Sequence, residues 1–417
     1  MVEWSSILKR KAFKNGIWMY LLQFFNAVVP LLTLPYIVRI LGKENYGIFS
    51  VALNIIVYMQ VIIEYGFGMS ATRKVALSNN NDLNKLFTSV LISRLLLLVG
   101  CCLFSIFYVY VYQYDVERCL SVVILMICLI GYCFQVNWLF QGLQDMKFIS
   151  IVNIVARTVS VICIFCFVQK KEDLLLYCFL YSVSPLLSGI MSFILSIIKY
   201  RMRLTRIGFS DVIDELKDGF YVFTTQISAK VFGVIGITFL GIFASYAEVG
   251  AFSAIQKITN IMILAWTPIT QVLYPISSKN MSENFITGKQ FVYKMRKYIL
   301  PFFIFMALFV AVFSKFIISI LYGSGYTEYY YWLFPLLLWM VLSINNNFLG
   351  IQILLGGGFD KEYSKCFQIG VICTFLLNFL LIYFFHGNGA SIAPVLSEAI
   401  LGIVLLHSIK KVENNLA

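Results

Sequence analysis

Long apolar runs separated by short polar segments are the most regular feature of this sequence. Each run has about 20 residues, the length that spans the hydrocarbon core of a bilayer. We predict twelve such runs, at 16–38, 47–68, 86–111, 120–141, 148–168, 174–198, 220–242, 250–276, 298–320, 331–354, 365–385 and 390–409. Because backbone polar groups in lipid must be paired within the protein, each run is expected to be a helix.

The composition agrees with this pattern. Hydrophobic residues make up 60% of the chain and charged residues 12%, whereas about 25% of the residues of a soluble domain are charged. The 38 Phe, 25 Tyr and 6 Trp suit a lipid-facing surface with aromatic belts at the membrane interfaces. The sequence therefore predicts an all-α integral membrane protein without a separate globular domain.

The basic residues indicate how the helices are oriented. A formal net charge of +12 raises the alternative of nucleic-acid binding. With the N-terminus inside, however, most Lys and Arg fall in inner segments, and the outer segments hold Arg39, Lys43, Arg118, Lys170 and Lys171. This distribution is the positive-inside pattern of membrane proteins. We predict that both termini are cytoplasmic, that the first helix is not cleaved, and that nucleic acid is not a partner.

Metal or cofactor chemistry has little support in the sequence. The ten Cys lie almost all within apolar runs, and the two His, His386 and His407, lie near helix ends. These residues do not form a zinc-binding pattern. The sequence also lacks a Gly-rich phosphate loop followed by Lys and Ser or Thr, so nucleotide hydrolysis is not expected. We predict no metal, no cofactor and no enzymatic activity.

The two halves of the sequence resemble each other at three places in the same order. The matching segments are Gly47–Ile55 with Gly250–Ile258, Gly142–Asp145 with Gly357–Asp360, and Ser182–Ser188 with Ser391–Ser397. Six helices per repeat is an even number, so the repeats are expected to share one orientation about an axis along the membrane normal. Superposition of the repeats should then place Gly47 on Gly250 and Pro185 on Pro394.

This repeat predicts the domain organisation. Residues 1–198 would form an N-terminal six-helix lobe and residues 220–417 a C-terminal six-helix lobe. The basic segment 199–219 would be a cytoplasmic linker between them.

Polar side chains within the eighth predicted helix form a stripe. They are Ser253, Gln256, Lys257, Asn260, Thr267, Gln271 and Tyr274, whose three- and four-residue spacing places them on one face. Ionisable groups at membrane depth usually face a cavity, so the lysine favours the wall of a water-filled lumen. The alternative is hydrogen bonding between helices of a dry bundle.

Other ionisable groups lie inside predicted helices. The cations are Arg94, Arg157 and Lys230, with Asn153 one turn before Arg157, and the acids are Glu64 and Glu398. An excess of cations suggests an anionic cargo, and internal ion pairing, for example of Arg94 with Glu64, is the alternative. Glu64 and Glu398 could each bind a coupling proton or cation, or lock helices together through an ion pair.

Three segments resemble the Wzx-type polysaccharide flippases. They are Pro35-x-x-x-Arg39-x-Leu41-Gly42-x-x-x-Tyr46-Gly47, Tyr65-Gly66-Phe67-Gly68 followed by Arg73-Lys74, and Gly387-x-Gly389-Ala390-x-x-Ala393-Pro394-x-x-x-Glu398. The similarity extends over the whole chain in length, number of helices and motif order. It implies membership of the multidrug/oligosaccharidyl-lipid/polysaccharide exporter superfamily, which also holds the MATE exporters and the lipid II flippase MurJ. The lumen cations vary within that family, so Lys257 and Arg157 depend on the polar stripes and not on a shared motif.

The resemblance also implies a fold and a function. The fold would be two six-helix lobes arranged as a V around a central cavity. The cargo would be an undecaprenyl-pyrophosphate-linked oligosaccharide, the O-antigen or capsule repeat unit, moved between leaflets of the bacterial inner membrane by alternating access. Protons or sodium ions could drive this movement, and a polymerase and a chain-length regulator of the same pathway would be possible partners.

Three other classes of protein fit the sequence less well. A MATE-like exporter of small cations should favour acids in its N-terminal cavity, whereas cations dominate here. A membrane polymerase or ligase needs catalytic groups on large outer loops, and the outer loops predicted here are short. A major-facilitator fold would carry an acidic and basic signature between helices 2 and 3, which Met69–Lys74 lacks.

Overall fold

The computed structural model describes residues 2–77 and 80–416 of the chain, and the side chains of residues 14–77 and 82–415. This part is almost entirely α-helical and contains no strand. The predicted cytoplasmic ends, Met1 and Ala417, and the side chains of the basic group Lys9–Lys11 lie outside the described residues.

In the described residues, eight helices begin before the predicted linker, and their apolar runs explain where they form. They are α1 (Val2–Glu64), α2 (Phe67–Leu77), α3 (Asn80–Val111), α4 (Val116–Leu125), α5 (Ile127–Phe134), α6 (Asn137–Gly142), α7 (Lys147–Phe167) and α8 (Leu174–Tyr200). A short 3₁₀ segment, Lys171–Asp173, leads into α8. The predicted helix 120–141 is thus divided into α4, α5 and α6.

Seven helices follow. They are α9 (Phe209–Phe243), α10 (Tyr246–Leu264), α11 (Trp266–Glu283), α12 (Phe285–Val312), α13 (Ser314–Tyr322), α14 (Leu333–Asn347) and α15 (Asp360–Leu416). A 3₁₀ segment, Ser324–Trp332, precedes α14, and a π-helix, Phe348–Leu355, continues it. Helix α9 begins within the predicted linker, so only 201–208 of that segment is non-helical.

Ten segments of the described chain are long and apolar enough to cross a membrane. Two of them, 14–77 and 360–415, are each long enough for two crossings. Non-helical backbone at Gly42 (φ 72°) divides the first, and non-helical backbone at His386 (φ 48°) divides the second. The predicted all-α membrane class is confirmed. The arrangement of twelve helices in two six-helix lobes stays a prediction.

Local sequence explains where several helices begin. Asp115 accepts a hydrogen bond from the backbone N–H of Arg118 at 3.2 Å and so caps α4. Ser245 and Glu248 form a capping box at the start of α10, which pairs two N–H groups that the helix cannot pair internally.

The described chain separates into two compact units. The first holds residues up to Leu41 together with Ile48–Lys230, and the second holds Gly42–Gly47 together with the residues from Val231 onwards. The predicted boundaries of the two lobes, at 198 and 220, stay predictions.

Each unit has its own aromatic core. In the first, Phe67, Phe87, Trp138 and Phe140 are buried in one cluster. In the second, the buried Trp266 packs against Phe303 and Phe348, with ring centroids 5.9 and 4.8 Å away.

Helices α5 and α8 approach each other closely in the first unit. A Cβ atom on Gly131 would overlap the backbone of Pro185, and a Cβ atom on Gly189 would overlap the backbone of Gly131. Glycine at both positions allows the two backbones to touch. Near this contact, Gln135, which follows α5, and Ser188 on α8 both hydrogen-bond to Asn153 on α7.

Candidate functional site

The first unit contains a cavity of about 480 Å³ among α1, α5, α6, α7 and α8. Although these helices are apolar overall, most of the side chains that line the cavity are polar. The polar and aromatic members of the lining are Asn26, Thr33, Gln60, Glu64, Tyr132, Gln135, Asn137, Gln141, Asn153, Arg157, Ser160, Tyr177, Tyr181, Ser184 and Ser188. A concave site of this size lies within the range of ligand pockets, roughly 300–1,000 Å³.

Helix α7 places two of the predicted site residues in this cavity. Asn153 and Arg157, one turn apart, both contribute to the lining. Arg157 Nη1 donates a hydrogen bond to Asn26 Oδ1 on α1 at 2.7 Å. Ser150, earlier on α7, is fully buried and donates instead to the carbonyl of Trp18 at 2.7 Å.

Glu64 lines the same cavity from the end of α1. Its Oε1 accepts a hydrogen bond from Gln60 Nε2, one turn earlier, at 2.8 Å. The two charged groups of the cavity, Arg157 and Glu64, are thus each held by a neutral amide side chain.

Three polar side chains hold one another in place on a second wall. Gln135 Nε2 donates to Ser188 Oγ at 2.6 Å and to Asn153 Oδ1 at 3.2 Å, and Ser188 Oγ lies 3.2 Å from the same Asn153 oxygen. Asn153 Nδ2 donates to the carbonyl of Ile149 at 2.7 Å. This network determines which way the amides of Gln135 and Asn153 face.

Arg94, which the sequence suggested as a cation facing a lumen, is buried in the protein. Its side chain is 4% exposed, and it is not part of the cavity lining. Nη1 donates to the carbonyls of Tyr132 at 3.2 Å and Gln135 at 2.6 Å, where the chain leaves α5 in an extended conformation. Carbonyls at a helix break in a membrane protein need partners. Arg94 is the partner of both carbonyls. Its hydrogen bonds therefore go to these carbonyls and not to Glu64.

The predicted stripe on the eighth helix lies on α10 and α11 in the second unit. Along it, Ser253 is buried, Gln256 and Asn260 are half-buried, and Lys257 and Gln271 are exposed. Pro268 cannot donate a hydrogen bond to the carbonyl of residue 264, which accounts for the interruption between α10 and α11.

Two further predicted residues lie apart from the cavity. Lys230 is exposed, near the end of the first unit. Glu398 on α15 is 3% exposed, and its Oε2 accepts a hydrogen bond from Asn346 Nδ2 at 2.6 Å. The same Asn346 amide donates to the backbone carbonyl of Glu398 at 2.7 Å, so Glu398 is a buried carboxylate held by a neutral amide.

A polar network beside the π-helix was not predicted. Thr270 Oγ1 donates to Asn347 Oδ1 at 2.9 Å, Gln352 Nε2 donates to Thr270 Oγ1 at 2.8 Å, and Ser277 Oγ donates to Gln352 Oε1 at 3.0 Å. Segments of π-helix are frequent at functional sites. The run Asn345–Asn347 within an apolar helix was the signal in the sequence.

Sequence reasoning also missed much of the cavity wall. Asn26, Tyr132, Gln135, Asn137 and Tyr181 line the cavity but do not form a stripe on one helix, because they come from α1, from the broken stretch α5–α6 and from α8. Among the described residues, no group of three His, Cys, Asp or Glu side chains could hold a metal ion.

Comparison with known proteins indicates the family. The family model "Polysaccharide biosynthesis protein" matches residues 12–281. A protein of Escherichia coli (strain K12) named "Putative O-antigen transporter" is 27% identical over 95% of this chain and 96% of its own length. A protein of the same name from Shigella dysenteriae is 27% identical over 95% of this chain and 100% of its own length.

Solved structures share the fold. The lipid II flippase MurJ in an inward closed conformation superposes with a TM-score of 0.77 at 13% identity, covering 95% of this chain and 87% of that one. An inward-facing MATE family transporter of the MOP superfamily superposes with a TM-score of 0.65 at 13% identity, covering 94% and 100%. At this identity the likeness shows the fold alone. The family match covers more than half of the sequence and confirms the resemblance to the Wzx-type proteins, so the chain belongs to the polysaccharide biosynthesis protein family.

Proposed function

We propose that this protein is a flippase for undecaprenyl-pyrophosphate-linked oligosaccharide. It would move the O-antigen or capsule repeat unit from the inner to the outer leaflet of the cytoplasmic membrane by alternating access. One observation carries the proposal: a member of the polysaccharide biosynthesis protein family has a polar cavity of about 480 Å³ among apolar, membrane-length helices. A sugar head group needs such a polar site, whereas its polyprenyl tail can stay in lipid.

The names of the relatives support the same cargo. The two bacterial relatives are named as O-antigen transporters, and the structural neighbour MurJ is named as a lipid II flippase. A transporter of lipid-linked sugars needs no chemical step, so we propose that the protein is not an enzyme.

The pyrophosphate of the cargo requires positive charge. We assign one such contact to Lys257, exposed on α10 in the second unit, and a separate one to Lys230, exposed on α9 in the first unit. Gln256, Asn260 and Gln271, on the same stripe as Lys257, would hydrogen-bond the cargo as it passes. Arg157 would meet the cargo in the cavity of the first unit.

Ion coupling is a further part of the proposal. Glu64 lines the cavity and Glu398 is buried in the second unit, and each accepts a hydrogen bond from a neutral amide. An amide that donates a hydrogen bond to a carboxylate does not neutralise its negative charge, as a cation would. Such a carboxylate can therefore bind a proton or a sodium ion. We propose these two residues as the coupling sites.

A MATE-like exporter of small cations is the second candidate, because MATE transporters share the fold. Against it, the cavity of the first unit holds one carboxylate and one guanidinium, which gives no surplus of negative charge for a cation. A polymerase or ligase of the same pathway is less well supported, since the outer loops predicted from the sequence are short.

The proposed setting is the bacterial inner membrane, with both termini cytoplasmic. A polymerase and a chain-length regulator of the same pathway would receive the flipped cargo. The proposed function is tested by deleting the protein in its host and measuring lipid-linked repeat units in each leaflet. Accumulation in the inner leaflet, reversed by the wild-type protein, is expected. Normal delivery to the outer leaflet without this protein or a substitute would contradict the proposal.

A further inference from the structure

We infer that the cavity of the first unit is a subsite for the sugar end of the cargo, and that it takes one or two uncharged sugar residues rather than the pyrophosphate. The inference rests on the proposed function and assigns one part of the cargo to one site. It follows from the charge of the lining, the polar groups without protein partners, and the aromatic rings.

The charge of the lining argues against the pyrophosphate. Arg157 and Glu64 are the charged residues among those described as lining the cavity, so its formal charge is zero, +1 with −1. A pyrophosphate carries at least two negative charges, and Glu64 would repel it at close range. A cationic drug would likewise be repelled by Arg157. A neutral polyol avoids both repulsions and can hydrogen-bond to both charged groups.

The neutral polar groups match the hydroxyls of a sugar. Within the described part of the chain, the amide of Asn137 and the hydroxyls of Tyr132, Tyr181 and Ser184 form no side-chain hydrogen bond to protein, although all four residues line the cavity. Each of these groups can both donate and accept a hydrogen bond, as a sugar hydroxyl can. Polar groups that stay unpaired at membrane depth are unfavourable, and hydroxyls of a ligand would pair with them.

Aromatic rings supply an apolar surface for the C–H face of a sugar ring. Tyr177 and Tyr181 line the cavity, and Phe49 packs against both, with centroid distances of 4.6 and 5.2 Å. Rings that are already held in place lose little freedom when a ligand binds. The network of Gln135, Asn153 and Ser188 holds polar side chains of the lining in the same way.

Binding of three lipids to the purified full-length protein in nanodiscs tests the inference. The probes are undecaprenyl pyrophosphate without sugar, the same lipid with one hexose, and the same lipid with the complete repeat unit of the host. Two variants alter the cavity: Asn137→Leu removes an amide, and Ser184→Leu fills space. Ile194→Leu is the control, because Ile194 lies on the lipid-exposed face of the same helix as Ser184. Thermal unfolding shows whether each variant is folded.

The wild-type protein is expected to bind the complete lipid about tenfold more tightly than the sugar-free lipid, a factor that corresponds to about 1.4 kcal/mol. Both cavity variants should lose this preference for sugar, whereas Ile194→Leu should keep it. A second measurement does not depend on the leucine variants. Alkylation of Ser184→Cys, followed by peptide mass spectrometry, should be slowed by the complete lipid and not by undecaprenyl pyrophosphate.

The outcomes separate the two proposals. If the wild-type protein prefers the sugar-bearing lipid, but the folded cavity variants keep that preference and residue 184 is not protected, the subsite inference is wrong and the flippase proposal stands. Equal affinity of the wild-type protein for all three lipids would also overturn the subsite. Failure to bind any of the three lipids would instead contradict the proposed function.

Discussion

Gly47 and Gly250 pack against each other's helices in a reciprocal contact within the second unit. A Cβ atom on Gly47 would overlap the carbonyl oxygen of Tyr246, and a Cβ atom on Gly250 would overlap the carbonyl oxygen of Lys43. The two partners are separated by the same interval as the two glycines, 203 positions (246 − 43 and 250 − 47). Residues that the sequence aligns as equivalent therefore make equivalent contacts here.

Alanine at either glycine should disrupt this contact. The added methyl group would meet backbone that cannot rotate away, so Gly47→Ala and Gly250→Ala should each lower the free energy of unfolding by about 1–3 kcal/mol. Thermal unfolding of the purified protein in detergent measures the change. Gly100→Ala is the matched control, because nothing lies within 4 Å of the added atom. A control that unfolds as early as the two contact variants would show that the effect is not local.

Loss of charge at Arg94 should lower the stability of the protein, whereas loss of charge at Arg157 should lower export. Arg94→Gln leaves two carbonyls at the α5 break without their donor, which should destabilise the protein by about 1–3 kcal/mol per unpaired group. Arg157→Gln keeps an amide beside Asn26, so it should fold normally and reduce export. Membrane abundance and surface polysaccharide in a deletion strain separate the two effects. A stable Arg94→Gln protein with normal abundance would show that Arg94 does not support the break.

Asp145, in the turn between α6 and α7, should make the stability of this end of the first unit depend on pH. Burial raises the pKa of Asp145, but hydrogen bonds from Lys199 and Tyr200, at 2.8 and 2.6 Å, outweigh burial and lower the pKa below its ordinary value. A lowered folded-state pKa adds stability above the unfolded pKa, and this stability is lost as the pH falls through the folded pKa.

The corresponding variant is Asp145→Asn, which should unfold at a lower temperature than wild type at pH 7. The difference should persist to about pH 5 and shrink below the ordinary Asp pKa of about 3.9. Unfolding temperatures across this range provide the check. A difference that is the same at every pH would mean that the charge of Asp145 contributes nothing.

The predicted topology can be tested with single cysteines. In a background without the native cysteines, Thr205→Cys should react with an impermeant maleimide only after the membrane is permeabilised, because 201–208 is expected to be cytoplasmic. Lys171→Cys should react in intact cells, because 169–173 is expected to be outside. Both positions are exposed. The reverse pattern of labelling would invert the proposed orientation.

The sequence predicted the helices better than their breaks. Apolar runs determine helices because lipid offers no partner to the backbone, and so the membrane class followed directly. The breaks at Met126 and Gln135 were not predicted. The break at Gln135 involves a tertiary partner, because Arg94 donates hydrogen bonds to the carbonyls of Tyr132 and Gln135, about 40 positions away in sequence. Arg94 therefore looked like a lumen cation.

Within the cavity, spacing along the sequence predicted the residues that share one face of a helix. Asn153 and Arg157 are one turn apart, so their common face could be inferred from sequence spacing. Asn26, Tyr132 and Asn137 reach the cavity from three different helices, and tertiary contacts, such as the hydrogen bond of Asn26 on α1 with Arg157 on α7, determine that they share it.

The charge of Lys257 allows the proposed function to be tested by substitution. A charged side chain at the centre of a membrane helix costs about 2.5–3.5 kcal/mol on insertion scales. Lys257 is exposed on α10, and we propose that contact with the anionic cargo accounts for its charge. Arg supplies the same charge in a different geometry. Lys257→Arg should therefore keep appreciable transport, Lys257→Gln should be intermediate, and Lys257→Glu should abolish transport.

Lipid transport can be measured in proteoliposomes that contain only this protein and a fluorescent undecaprenyl-pyrophosphate-linked repeat unit. An impermeant quencher reports the fraction of the labelled lipid in the outer leaflet, with and without an imposed proton or sodium gradient. Our expectation is that the wild-type protein makes inner-leaflet lipid accessible to the quencher, and that an equal amount of reconstituted Lys257→Glu protein does not. Inner-leaflet lipid that stays protected with wild-type protein under every gradient, or transport by Lys257→Glu at the wild-type rate, would contradict it.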